Sequence, residues 1–189
     1  VDDALADALD AVARRRGASL GRRPGRRWLA DRFRHPYLRE SLLELGYATD
    51  TLETAAPWAR VPALRTRVAA AIAGALAAED ERVEVLCHVS HPYRDGVSLY
   101  FTFFFRTAAE PEATIARWAR IKRAATAALV AAGATLSHHH GIGQWHAPWL
   151  GAEIGSEGLA LLQAAARQLD PRGILNPHVL LDPVDRLEA

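Results

Sequence analysis

The chain has 189 residues, half of them hydrophobic and 24% charged, enough for one ordinary domain with a real core and too apolar for whole-chain disorder. Basic and acidic residues number 23 and 22, a net charge of +1, so no global field directs it to nucleic acid or an anionic membrane. The single cysteine, Cys87, excludes an internal disulfide framework and any multi-cysteine zinc site. The longest apolar run, Val68 to Ala78, is far short of a membrane span, and the acidic first residues do not resemble a secretory leader. These features predict a soluble, cytoplasmic protein, at most peripheral to a membrane. A start at Val1 without any methionine suggests processing or excision from something longer.

Residues 2–16 predict a helix, with Leu5, Leu9, Val12 and Ala13 on one stripe. Residues 18–27 are a Gly/Pro/Arg string expected as loop. After a break at Pro36, a second helix is expected from Tyr37 to about Leu45, stopped by Gly46. Residues 47–54 favour extended structure. Pro57 is placed in the first turn of a long helix whose buried face is Val61, Leu64, Val68, Ile72 and Leu76. The period then changes to two. Val83, Val85, Cys87 and Val89 alternate with Glu84, Leu86, His88 and Ser90, and the Asp95-Gly96 turn leads into a Phe-rich strand, Val97 to Arg106. That pattern predicts an antiparallel hairpin. A long amphipathic helix follows from Thr114 to Ala132, closed by Gly133. Residues 134–137 are expected as a short strand and 157–169 as the last helix. An α+β fold follows, an antiparallel sheet covered by helices in the ferredoxin-like manner. Composition marks no domain boundary.

The string Ser137-His138-His139-His140-Gly141-Ile142-Gly143 is the most unusual. In an extended segment His138 and His140 point one way and His139 the other, while the glycines permit close approach or positive φ. Three readings stand: imidazoles facing an anionic or carbonyl substrate, a histidine-rich loop without a role, and a metal site that includes His146. No carboxylate lies in the loop and the spacing matches no standard zinc pattern, so no metal ligand is assigned. On the Phe-rich strand, Leu99, Phe101, Phe103 and Phe105 form the core face, and Tyr100, Thr102, Phe104 and Arg106 the opposite one. That second face has the mixed polarity of a pocket wall. Ten arginines against five aspartates between Val1 and Arg39 read mainly as solvated helix and loop residues, because no nucleic-acid motif accompanies them.

Taken in order, the strings HPYLRESLL, TDTLETAAPW, SLYFTFFFR, TLSHHHGIG and DPRGILNPHVLL resemble the C-terminal part of the alkyldihydroxyacetonephosphate synthase (alkylglycerone-phosphate synthase) family, FAD-linked oxidases of the vanillyl-alcohol oxidase type. The resemblance runs from about Gly21 to Leu181. It implies that residues 1–189 are a C-terminal substrate, or cap, domain that packs over an FAD bound mostly by a separate domain. It further implies exchange of the acyl group of acyl-dihydroxyacetone phosphate for a fatty alcohol, as in ether lipid synthesis, without net redox change. Within the same family, an oxidase or dehydrogenase of a hydroxy acid or alcohol is the alternative. A stand-alone histidine-rich metal- or anion-binding module is the alternative outside it. The resemblance gives Tyr100 as proton donor or acceptor and Arg39 as substrate-binding residue. It gives His138, His139 and His140 as the triplet needed for activity, and the loop around Asn176 as a cofactor contact. Where relatives carry basic residues after HHHG, this chain has Gln144-Trp145-His146-Ala147-Pro148-Trp149. A cap without its flavin domain is expected to leave a sheet edge or an apolar face uncovered, which favours a homo-oligomer.

Overall fold

The computed structural model describes residues 3–17, 21–34 and 37–181. The chain divides into two compact units, Val1–Ser41 and Leu42–Ala189, a boundary that no composition shift announces.

The first unit holds α1 (Asp3–Arg16), α2 (Arg23–Asp31) and the start of α3 (Tyr37–Glu44). The arginine-rich string expected as loop is helical from Arg23 onward. Pro24 sits in the first turn, where its missing N–H would have had no helical partner anyway. Residues 18–20 and the expected break at Pro36 lie outside the described residues. The arginines pair locally and in solvent, Arg14 with Asp10 at 2.7 Å and Arg27 and Arg34 with Asp31 at 3.8 Å each. Such pairs contribute little.

The second unit is built on a three-stranded antiparallel sheet of order β1-β3-β2, from β1 (Tyr47–Pro57), β2 (Glu84–Pro92) and β3 (Gly96–Arg106). Gly46, at φ 81°, ends α3 and turns the chain into β1. β3 pairs with β1 over its whole length, Tyr47 opposite Arg106 and Pro57 opposite Gly96. The β2–β3 register runs from Glu84 opposite Phe104 to Val89 opposite Leu99, then shifts before Pro92. Leu52, Ala56, Val97, Leu99, Phe101, Phe103 and Phe105 are buried on one face of the sheet. That face is covered by α4 (Val61–Gly74) and α5 (Pro111–Ala131), so the architecture is α+β as expected. Leu64, Val68, Ile72 and Leu76 are buried on the face the helical period predicts. The stretch Trp58–Glu79 is apolar enough by length and composition to cross a bilayer, yet its inner side chains belong to this core.

Three boundaries differ from expectation. Pro57 closes β1 instead of opening a helix. Trp58–Arg60 then forms a 3₁₀ turn, and Pro62 takes the first-turn position of α4. Residues 134–137 form no strand, because β1, the edge beside them, is met by side-chain bonds rather than by a ladder. The last helix, α6 (Leu150–Leu169), begins earlier than 157, but Gly155 at φ 76° breaks it, so its regular part lies near the expected range.

Phe103 is fully buried, and Phe103→Ala should lower the unfolding free energy by about 3–5 kcal/mol. Leu86→Ala, on a side chain 61% exposed, should change it by less than about 0.5 kcal/mol. Urea titration followed by circular dichroism measures both. Gly96→Ala should also destabilise, since a Cβ there would lie 2.5 Å from the Ala56 carbonyl oxygen on β1.

Candidate functional site

Antiparallel pairing puts Glu53 of β1, Tyr100 of β3 and His88 of β2 in one row, on the face turned away from the helices. Thr54, the next residue of β1, faces the helices, and its Oγ1 donates to the Thr135 carbonyl at 2.6 Å. Two of the next histidines, however, meet Glu53. The chain leaving α5 therefore crosses the β1 edge between residues 135 and 138 and lays the histidine triplet on the open face.

Glu53 is 4% exposed, and imidazoles surround it. His138 Nδ1 lies 3.1 Å and His91 Nδ1 3.3 Å from Oε1, while His140 Nε2 lies 3.2 Å from Oε2. Burial alone would raise the Glu53 carboxyl. Hydrogen bonding to Ser98 and His138 and the charges of His138 and His140 outweigh burial and hold it below its ordinary value. His91 reaches the cluster through the register shift at the end of β2. Its backbone N–H donates to Ser98 Oγ at 3.0 Å, and the hydroxyls of Ser90 and Ser98 lie 3.0 and 3.2 Å from its Nδ1. The Tyr93 hydroxyl is 2.9 Å from His138 Nε2. Tyr93 is fixed by the hairpin turn, its N–H donating to Gly96 O at 2.8 Å and its carbonyl accepting from Trp58 Nε1 at 3.1 Å.

Of the residues singled out from sequence, Tyr100 and the three histidines come together. The Tyr100 ring meets His140 edge-on with centroids 5.5 Å apart, and its hydroxyl donates to Thr51 Oγ1 at 3.2 Å. His139, at φ 59°, turns to stack on His91 with centroids 5.1 Å apart. Its ring also lies 4.2 Å from that of His138, so the three imidazoles gather in one cluster instead of alternating as an extended triplet would. Arg39 is an exposed residue of α3 in the N-terminal unit. Asn176, at φ 44°, lies in the segment after α6, which the Leu180 N–H ties to the Gly143 carbonyl at 3.1 Å. A cavity of about 560 Å³ opens there between Gln144, Pro148, Gly151, Leu159, His178 and Leu180. The histidine triplet does not line it. Glu53, His91 and Tyr93 were missed from sequence. Glu53 sat in a strand with no local pattern to distinguish it, Tyr93 belonged to the hairpin turn, and His91 followed the alternating strand without a reading of its own.

The segment after the triplet turns inward at Trp145 and His146. Trp145 packs on Trp118 with centroids 4.7 Å apart, and Trp118 Nε1 donates to Asp50 Oδ2 at 2.6 Å. Lys122, the one lysine of the chain, is buried, 2.9 Å from the Thr51 carbonyl and 3.3 Å from Asp50. His146 is buried, and burial pushes its pKa down. Lys122 and His140 add to that fall, and Glu153 opposes it. A histidine with a depressed folded pKa contributes stability that is present above the unfolded value, near 6.5, and lost as pH falls through the folded one. The unfolding free energy should therefore fall as pH drops below about 6.5, by at most about 1.4 kcal/mol per pH unit. His146→Gln should flatten that slope, which denaturant titration at several pH values measures.

The outward polar groups of the cluster are a phenol and two exposed imidazoles, which can donate to a flavin carbonyl or an acyl or phosphate oxygen and can accept from a flavin N–H. They fit one wall of an FAD site. A pyrophosphate is held by backbone N–H groups at a helix start or by cations, and the partners of Glu53 are instead imidazoles and a serine. The oxygen and nitrogen atoms of Glu53, His91 and His138 also lie close enough together to hold a metal ion.

Comparison with known proteins places the chain. It is 33% identical over 162 residues to alkyldihydroxyacetonephosphate synthase of Trypanosoma brucei brucei, covering 86% of this chain and 26% of that protein. The identity is 27% over 184 residues with the Dictyostelium discoideum enzyme of the same name, covering 97% and 30%. An uncharacterized FAD-linked oxidoreductase of Escherichia coli, YgcU, is 28% identical over 150 residues, covering 78% and 31%. The chain thus spans about a quarter to a third of these relatives. A solved alkyldihydroxyacetonephosphate synthase structure superposes with a TM-score of 0.55 at 22% identity, over 85% of this chain and 25% of that one, which shows the fold. Residues 3–180 match the family model of the C-terminal domain of FAD linked oxidases, and the chain belongs to that family.

Proposed function

We propose that this chain is the substrate-binding cap of an FAD-dependent enzyme of the alkylglycerone-phosphate synthase type, acting with an FAD-binding domain. The observation that carries this reading is the joining of Tyr100 and His140 over one buried carboxylate, Glu53, on the open face of the sheet. Similarity to synthases over most of the chain supports it. FAD, when bound, supplies an electron-accepting ring system. The chain's own residues bind, orient and move protons.

Glu53 fixes His140. In the tautomer that donates Nε2–H to Oε2, the other ring nitrogen is left as an acceptor toward solvent, and protonation converts it to a donor for an anionic oxygen. Use of the Tyr100 phenol as a base needs nearby positive charge or hydrogen bonds. The edge of His140 and the Thr51 hydroxyl are its neighbours. His139 is exposed beside His91 and is assigned to the substrate phosphate or carbonyl. Arg39 is assigned to substrate binding and Asn176 to the cofactor, both on the resemblance alone. The substrates would be acyl-dihydroxyacetone phosphate and a fatty alcohol, placing the enzyme in the cytoplasm or at a membrane surface. The similarity to YgcU favours one second reading, oxidation of a hydroxy acid or alcohol through the same cap.

In the flavoprotein carrying this chain, Tyr100→Phe should abolish turnover while FAD stays bound, the loss exceeding roughly a hundredfold. Near-normal turnover would remove Tyr100 from the mechanism. The flavin absorbance under anaerobic substrate separates the two chemistries: a synthase keeps its visible band, and an oxidase or dehydrogenase loses it.

A further inference from the structure

We propose that Glu53, His91 and His138 form a binding site for one divalent transition-metal ion of the zinc class. One carboxylate oxygen and two imidazole nitrogens, from three separate segments of the chain, lie within 4.8 Å of one another. The two separations from Glu53 Oε1, 3.1 and 3.3 Å, are those of hydrogen bonds when the imidazole nitrogens carry protons; with both nitrogens unprotonated the same three atoms become a set of acceptors facing one point. The two edges that meet at Glu53 match that of a tetrahedron, about 3.3 Å, for ligands about 2.0–2.1 Å from a central ion, and the third lies within 4.8 Å. Two histidines and one glutamate, with a fourth position left to water or a substrate oxygen, form a recurring donor set for zinc.

The surroundings are those of a metal site as well. A ligating histidine commonly uses its second nitrogen to donate to an oxygen, which sets its tautomer. His138 binds through Nδ1, and its Nε2 faces the Tyr93 hydroxyl at 2.9 Å. Glu53 offers Oε1 to the ion and keeps Oε2 for His140, so the carboxylate is itself oriented. The geometry of the hairpin tip serves this arrangement, since the register shift in β2 brings His91 inward.

This inference goes beyond the cap reading and does not depend on it, because its readout is uptake of metal by the chain. Isothermal titration of the 189-residue chain with Zn²⁺, and the visible spectrum of Co²⁺ added in its place, test it. One ion per chain is expected, with tetrahedral Co²⁺ bands, and no comparable uptake of Mg²⁺, which prefers octahedral oxygen donors. Glu53→Gln and His91→Ala should each abolish uptake, and Tyr93→Phe should weaken it about 10–100-fold. His88→Ala, on the exposed side of β2, should leave it unchanged. Because removal of a buried carboxylate can disturb folding, the exposed His91 variant carries the decision, with its circular dichroism compared with that of the parent. Absence of stoichiometric uptake by the parent chain would overturn the proposal. So would uptake that survives both Glu53→Gln and His91→Ala, which would indicate adventitious binding to surface histidines.

Discussion

A carboxylate buried to 4% exposure is the constraint on which the open face depends. Isolated in a low-dielectric setting, an ionised glutamate is very costly, and it survives only when its lone pairs are satisfied. Glu53 has its partners from the end of β2, from β3 and from the loop after α5. Two of those segments are irregular at the point of contact. The register of β2 shifts before Pro92, and the loop at residues 134–141 follows no ladder, with a left-handed residue at His139. The irregularities are where the demands of one buried charge override regular pairing.

β1 carries a second acid three residues earlier, and the pleat sends it to the other side. Asp50 faces the helices, where Trp118 and the buried Lys122 hold it. Lys122 also reaches the Thr51 carbonyl at the strand edge. Thus β1 is clamped from both faces, by α5 on one side and by the histidine loop on the other. The loop can cross the edge because Thr54 receives it at Thr135, and the Leu136 N–H is taken up by Glu153 of α6. An edge strand covered in this way offers fewer open backbone groups for pairing with another chain.

The parts of this arrangement legible in the sequence are those set by local period. The alternation of Val97–Arg106 and the Asp95-Gly96 turn specified the hairpin, its core face and the side on which Tyr100 lies. The 3.6-residue stripe of Leu64, Val68 and Ile72 specified the helix that covers it. What could not be read is what distance brings together. Glu53 meets His138 across 85 positions, and nothing in TDTLETAAPW distinguishes a glutamate that will be buried from one that will be solvated. His91 was hidden by the register shift, which reverses the face that simple alternation would assign. The arginine-rich 23–31 segment misled because glycine and proline signal a break, whereas proline in a first turn is also a helix start. The triplet was conspicuous in residue type, and the carboxylate it gathers around was not.

The two oxygens of Glu53 divide the site. Oε1 serves the hairpin tip, through His91 and through His138 with Tyr93 behind it. Oε2 serves His140, beside Tyr100. Because both belong to one delocalised carboxylate, charge drawn toward one oxygen is withdrawn from the other. Whatever occupies the Oε1 side, protons or a cation, therefore bears on the negative charge that Oε2 presents to His140. The hairpin tip is in this sense part of the environment of Tyr100, although no side chain of the tip touches the phenol among the contacts described. Tyr93 and His91 at the tip and Tyr100 on the central strand are thus joined through a single buried group, Glu53, by way of the imidazoles it holds.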